Sequence, residues 1–413
     1  MKSARLWAIA LSVVAITVPV FAQRRRAVAP PPQVPTFSFD CKPAELTAAQ
    51  AEQCRQARHA EGQRLFERET FGGNGRTCET CHSKLTGTFS ATEARARHAA
   101  NPNDSLFTHD GLDDGFSGTS TILEHATIRV TLPLPPYLTI REDPAATHVT
   151  FRRATPTTKN TPALDLFLMS DLRDANLEAQ AAGAIRGHAQ ATVEPTRLQL
   201  ELIAEFQKTD PRFFSDDRLL DFAKTGVAPL LPLGTTESEK RGRTFFEDNP
   251  PRANTMAGAC AVCHSGPMLN ETNRFARQAL GVPQGMRTQS AGVSERNKLG
   301  NPVYTFEVHD GPVISIVQTP DIGLLMSDLT SAHVASELAA LGPGAPLVRL
   351  ANSFKIPTLW GVKDTAPYFH DNSAKDFDEL LEHYNIFFQN LGLGSDSLKP
   401  QDIIDIKAFL NLL

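Results

Sequence analysis

Cys78-Glu79-Thr80-Cys81-His82 has one echo in the chain, Cys260-Ala261-Val262-Cys263-His264. In each, two thiols three positions apart are followed directly by an imidazole. On a helical turn, positions i, i+3 and i+4 share a face, so both sulfurs and the ring can converge on one flat group. That is the arrangement of covalent haem attachment, in which the thiols add across the vinyl groups and the histidine supplies the proximal iron ligand. Cys-x-x-Cys alone also serves zinc and redox disulfides. Two copies, each closed by a histidine, favour two haem c groups. Cys78, Cys81 and His82 would hold one, and Cys260, Cys263 and His264 the other.

Around these motifs the chain repeats a plan. Gly62-Gln63-Arg64-Leu65-Phe66, before the first motif, is answered by Gly242-Arg243-Thr244-Phe245-Phe246 before the second. Ile203-Ala204-Glu205-Phe206 is answered by Ile406-Lys407-Ala408-Phe409. The economical account is a mainly α protein of two cytochrome-c-like haem domains, with a small β insertion in the first. The expected boundaries are residues 47–227 for the N-terminal haem domain and 236–413 for the C-terminal one. Between them, residues 228–235 carry Pro229, Pro232 and Gly234 and read as a linker.

The N-terminus bears on compartment. Lys2 and Arg5 precede the apolar run Leu6–Val20, and Val20-Phe21-Ala22 suits cleavage, so residues 1–22 read as a signal peptide. An uncleaved anchor is the alternative, but the run is short for a bilayer. Residues 23–46, with Arg24-Arg25-Arg26 and Pro30-Pro31-Pro32, read as a flexible lead-in. The mature chain is therefore expected in the periplasm or outside the cell, with no membrane span. There Cys41 and Cys54, the two cysteines outside the haem motifs, would form one local disulfide or stay as separate thiols. A net charge of −5 gives no electrostatic case for nucleic acid.

Periodicity predicts a helix over about Thr47–Phe66 and mostly loop over 91–120. It predicts short edge strands at Thr127–Leu132 and Val149–Arg152. Helices follow over Leu177–Ala189 and Glu194–Lys208, with Pro195 in the first turn and Leu198, Leu202, Ile203 and Phe206 as an apolar stripe.

The paired motifs combine with Thr365-Ala366-Pro367-Tyr368-Phe369-His370-Asp371 and Glu382-His383-Tyr384-Asn385. In this combination the chain resembles the bacterial di-haem cytochrome c peroxidases and their relative MauG. The resemblance spans most of the chain after the leader, strongest at 236–270 and 350–386 and loosest at 90–155. In typical members a methionine fourteen residues after the histidine of this segment ligates the C-terminal haem. Here that position is Tyr384, and no methionine follows Met326. MauG also has tyrosine there, so the resemblance implies a His264/Tyr384 haem; the alternative is a packing role for Tyr384. His383 would point about 100° away on a helix.

For the first haem, the resemblance places Gln180 on the pocket glutamine and Gln190 where the family has its catalytic acid, usually glutamate. An amide can hydrogen-bond but cannot accept and return a proton. Either His188 or water would substitute, and His188 reads equally as a surface residue. Ser170 stands where the family's bridging tryptophan is expected. By its spacing from His82, His98 is the candidate for the sixth ligand, and a solvated position is its alternative. An interhaem calcium ion would fall on oxygens of Asn160, Thr365 and Pro367. Trp360 is expected to pack near the second haem.

The activity implied is peroxidase-like. Hydrogen peroxide would be reduced at the first haem, or a partner protein oxidised by high-valent haem as in MauG. Electrons would come from a small redox protein, a c-type cytochrome or cupredoxin, or from an oxidisable protein substrate. Two other classes are compatible with the same sequence: a di-haem electron carrier without peroxidase activity, and a haem oxygenase acting on an apolar substrate.

Overall fold

The structure, a computed structural model, describes residue 41 and residues 46–250, 256–390 and 398–413. The signal peptide and nearly all of the lead-in lie outside the described residues. No helix among those described is long and apolar enough to cross a membrane. Cys41 and Cys54 are joined as a disulfide across a sequence separation of 13 residues.

The fold is mainly helical. Helix α1 spans Ala48–Arg68, and Thr47 and Gln50 cap its start reciprocally, each side chain accepting from the other's backbone N–H. Further helices are α2 (Ala91–Ala100), α3 (Leu177–Gly187), α4 (Arg197–Thr209), α5 (Glu237–Arg243), α6 (Phe377–Asn390) and α7 (Pro400–Leu410). The stretch expected to be loop therefore contains α2. Ser90 accepts from the Glu93 N–H at its start, a cap that the surrounding Asn and Asp residues conceal. Pro195 also differs from expectation. Thr196 is the N-cap of α4, so the proline precedes the helix. Leu198 is exposed, whereas Leu202, Ile203 and Phe206 are buried.

Both glycine echoes are helix crossings. A Cβ on Gly62 would sit 2.8 Å from Phe206 Cβ and drive into the Leu202 carbonyl. A Cβ on Gly242 would sit 2.8 Å from Phe409 Cβ and drive into the Asp405 carbonyl. Only glycine lets α1 meet α4, and α5 meet α7, at that separation. Each crossing seats a core around one motif. In the first half Leu65, Phe66, Ile185, Leu202, Ile203 and Phe206 pack with Cys78. In the second, Phe245, Phe246, Tyr368, Leu381, Ile406 and Phe409 pack with Cys260 and Tyr384.

Strands β1 (Thr127–Pro133) and β3 (His148–Ala154) pair antiparallel, Val130 opposite Phe151. The small sheet insertion is present, but it is not confined to the first half. Strand β2 (Leu138–Ile140) pairs with β4 (Tyr304–Asp310), which forms a hairpin with β5 (Val313–Thr319). Phe151, Phe306, Val308 and Ile140 bury one shared apolar face. Beside it, Arg153 forms ion pairs with Asp171 and, at 2.6 Å, with Asp321, all three buried.

Candidate functional site

The two motifs are built alike on the histidine side. His82 Nδ1 lies 2.8 Å from the Gly87 carbonyl, and His264 Nδ1 lies 2.8 Å from the Leu269 carbonyl, five residues on in each case. Both carbonyl-bearing residues have positive φ, 66° at Gly87 and 53° at Leu269. At Gly87 a Cβ would meet Thr158 Oγ1 at 2.7 Å, so glycine is required there. An imidazole that donates from Nδ1 presents Nε2 as its lone-pair nitrogen, the orientation a metal-ligating histidine needs. Burial pushes both imidazoles below their ordinary range, His264 to about 4, which keeps them neutral.

Burial also pushes the thiols up, to about 12 at Cys78, Cys260 and Cys263. Among the described residues no three His, Cys, Asp or Glu side chains gather as a metal site. Two half-buried thiols beside a neutral, oriented imidazole suit thioether attachment to haem, once in each half.

Beyond the motifs a longer internal repeat emerges, which the sequence reading missed. Leu168 bridges Asp174 in the first half, and Tyr368 bridges Ala374 in the second. Met169 and Leu172 have φ of 67° and 59°, and Phe369 and Asn372 have 73° and 58°. Helix α3 then starts at Leu177 and α6 at Phe377. Asn176 accepts from the Ala179 N–H, and Asp376 from the Glu379 N–H. Every pair is offset by 200 residues. The register places Ala184 in the first half where Tyr384 stands in the second.

Tyr384 looks at the second motif. Its ring packs against the same core cluster as Cys260, and burial raises its phenol above the ordinary range. It packs with Phe369, Phe387 and Phe388, and none of the hydrogen bonds among the described residues uses its hydroxyl. His383 is turned elsewhere, with Nε2 2.7 Å from the Ala291 carbonyl. Trp360 is buried and donates from Nε1 to the Pro267 carbonyl at 2.9 Å, beside the second motif as expected.

Around the first motif, Gln180 lies half-buried on α3 and His188 caps that helix. Gln180, Ala184 and His188 follow at spacings of four and so share the helix face that Tyr384 occupies in α6. Asn74 donates to the His188 carbonyl at 3.0 Å and to Gln190 Oε1 at 3.3 Å, and its N–H donates to Ala189 at 2.9 Å. Gln190 is exposed, with φ of 51°. His98, on the last turn of α2, sits edge-on to Phe107 at 5.0 Å between ring centroids.

The residues expected at an interhaem calcium ion make these contacts within the protein. Asn160 is buried and donates to Trp360 O and Ser215 Oγ, both at 2.9 Å, while its Oδ1 accepts from the Ser215 N–H. Its carbonyl accepts from Leu164. Thr365 Oγ1 donates to Val362 O at 3.3 Å, and Pro367 follows a cis peptide bond. At Ser170 the halves meet through backbone, Lys355 N–H donating to its carbonyl at 2.7 Å.

No family model matches the chain, and no curated protein does. Among solved structures it is similar to a MauG-like protein associated with microbial copper homeostasis. The identity is 16%, over 86% of this chain and 87% of that one, with a TM-score of 0.44. It is also similar to the diheme peroxidase BthA from Burkholderia thailandensis E264. There the identity is 15%, over 86% and 85% of the two chains, with a TM-score of 0.42. Similarities this distant transfer no activity.

Proposed function

We propose that the protein is an exported di-haem c-type oxidoreductase of peroxidase-like activity, working in the periplasm or outside the cell. The observation that carries this reading is the exchange of Tyr384 for Ala184 between matching helices. Cys260, Cys263 and His264 would hold a haem whose far side meets a phenol. Cys78, Cys81 and His82 would hold one whose far side meets a methyl group, with Gln180 and His188 on the same helix face. A closed position suits electron storage and transfer, and an accessible one suits small oxidants. Haem supplies the redox chemistry; the chain holds it, orients its histidines and sets which side a small molecule can reach.

The substrate at the accessible side would be hydrogen peroxide. Electrons would come from a c-type cytochrome or cupredoxin, or from a protein that is itself oxidised. Visible and EPR spectra of the purified protein test this reading. One high-spin and one low-spin haem, with a spectral response to peroxide, are expected. Two low-spin haems in every redox state and no peroxide response would favour an electron carrier instead. Zinc without covalent haem would end the reading.

A further inference from the structure

We infer that His188 is the proton-accepting group of the first haem pocket and that Asp110 is the residue that positions it. The inference rests on the di-haem reading above. Asp110 is buried, and its Oδ2 lies 2.5 Å from His188 Nδ1. Its other oxygen pairs with Arg76, also buried, whose remaining donors reach the Ser105, Leu106 and Thr108 carbonyls at 2.8–2.9 Å. Burial alone would raise the Asp110 carboxyl, but the His188 hydrogen bond and the Arg76 charge outweigh it and hold the group ionised. The carboxylate is thus fixed before it meets the imidazole.

With Nδ1 given to Asp110, the free nitrogen of His188 is Nε2, on the opposite edge of the ring. The helix register puts that ring on the face shared with Ala184. The chain entering the first motif anchors the same segment: Asn74 and Arg76 both donate to the His188 carbonyl, at 3.0 and 3.3 Å. Asp110 is the charged group against the ring; Arg76 reaches the residue's backbone carbonyl, and His82 is within electrostatic reach. Gln190, standing where the family has its acid, lies exposed against Asn74 and can carry no proton.

The step is a proton transfer. A neutral acid entering the pocket, hydrogen peroxide or the probe hydrogen cyanide, gives its proton to Nε2 and remains as the anion. The imidazolium so formed is balanced by Asp110, and no electron moves.

Stopped-flow cyanide binding to the oxidised holoprotein tests this as a function of pH. His188→Gln should slow association roughly 100-fold, abolish its pH dependence and be partly rescued by added imidazole. Asp110→Asn should slow it about tenfold, and Asp110→Glu should restore part of the loss. His188 is partly exposed, so its variant keeps the test open if Asp110→Asn fails to fold. Wild-type cyanide binding that His188→Gln leaves unchanged would overturn this inference alone. So would an Asp110→Asn protein that loses thermal stability but binds at the wild-type rate. A wild type that binds no cyanide would overturn the peroxidase-like reading, with its accessible first haem, as well.

Discussion

Ala184 and Tyr384 occupy the same place in two copies of one backbone pattern, and they differ by a phenol. On this difference the two haem sites would divide their work.

Replacing Tyr384 by phenylalanine removes the oxygen and keeps the ring packed against Phe369 and Phe388. The low-spin EPR signal should change and the high-spin signal should not. An unaltered low-spin signal would return Tyr384 to a packing role.

The reciprocal change, Ala184→Tyr, should convert the high-spin haem toward low spin and suppress the spectral response to peroxide. Persistence of both would mean that this face of α3 does not look at the first haem.

Gly62→Ala and Gly242→Ala should each destabilise the fold, since the added methyl has a backbone carbonyl in its way. Overpacking of this kind costs about 1–3 kcal/mol. In a chain of this size that lowers Tm by several degrees, roughly 2–4 °C per kcal/mol. Thermal unfolding of both variants checks the prediction, and a wild-type Tm would show that the helices can part without cost.

Acid should weaken the fold through Asp171. Burial raises its carboxyl, but Arg173 and Arg153 outweigh that and hold it at about 2, below the ordinary 3.8. A depressed carboxylate contributes stability that is fully present above its unfolded pKa and lost as pH falls from about 4 to about 2, here on the order of 2 kcal/mol. Asp171→Asn should cost about 3–5 kcal/mol near pH 7, because Arg153 loses a buried partner. It should also flatten the decline below pH 4. Urea unfolding at pH 7, 4 and 3 would show this, and a variant declining as steeply as wild type would count against it.

Much of this was legible because it is local. The haem motifs fix their own geometry, and the Gly62 and Gly242 echoes mark crossings whose closeness forbids any other residue. The hairpin at Tyr304–Thr319, turned by Gly311-Pro312, was not among the strands expected from the sequence. The repeat at Met169 and Phe369 was hidden too. It is carried by the sign of φ, and the side chains that share it have little else in common. Asp110 and His188, 78 positions apart, could not be paired from spacing, since neither belongs to a motif.

The seam between the halves is polar and shared. Asn160 grips the Trp360 carbonyl, Lys355 reaches Asp165 at 2.6 Å, and Arg153 meets Asp321. Asn372 donates to the carbonyls of His125 and Ala126, both at 3.0 Å. Opening a hinge there would strand buried donors and charges from both sides at once. If two haems are bound as proposed, the gap an electron would cross is set when the chain folds. Its passage should be indifferent to added glycerol or sucrose, whereas docking of an outside donor should slow as viscosity rises.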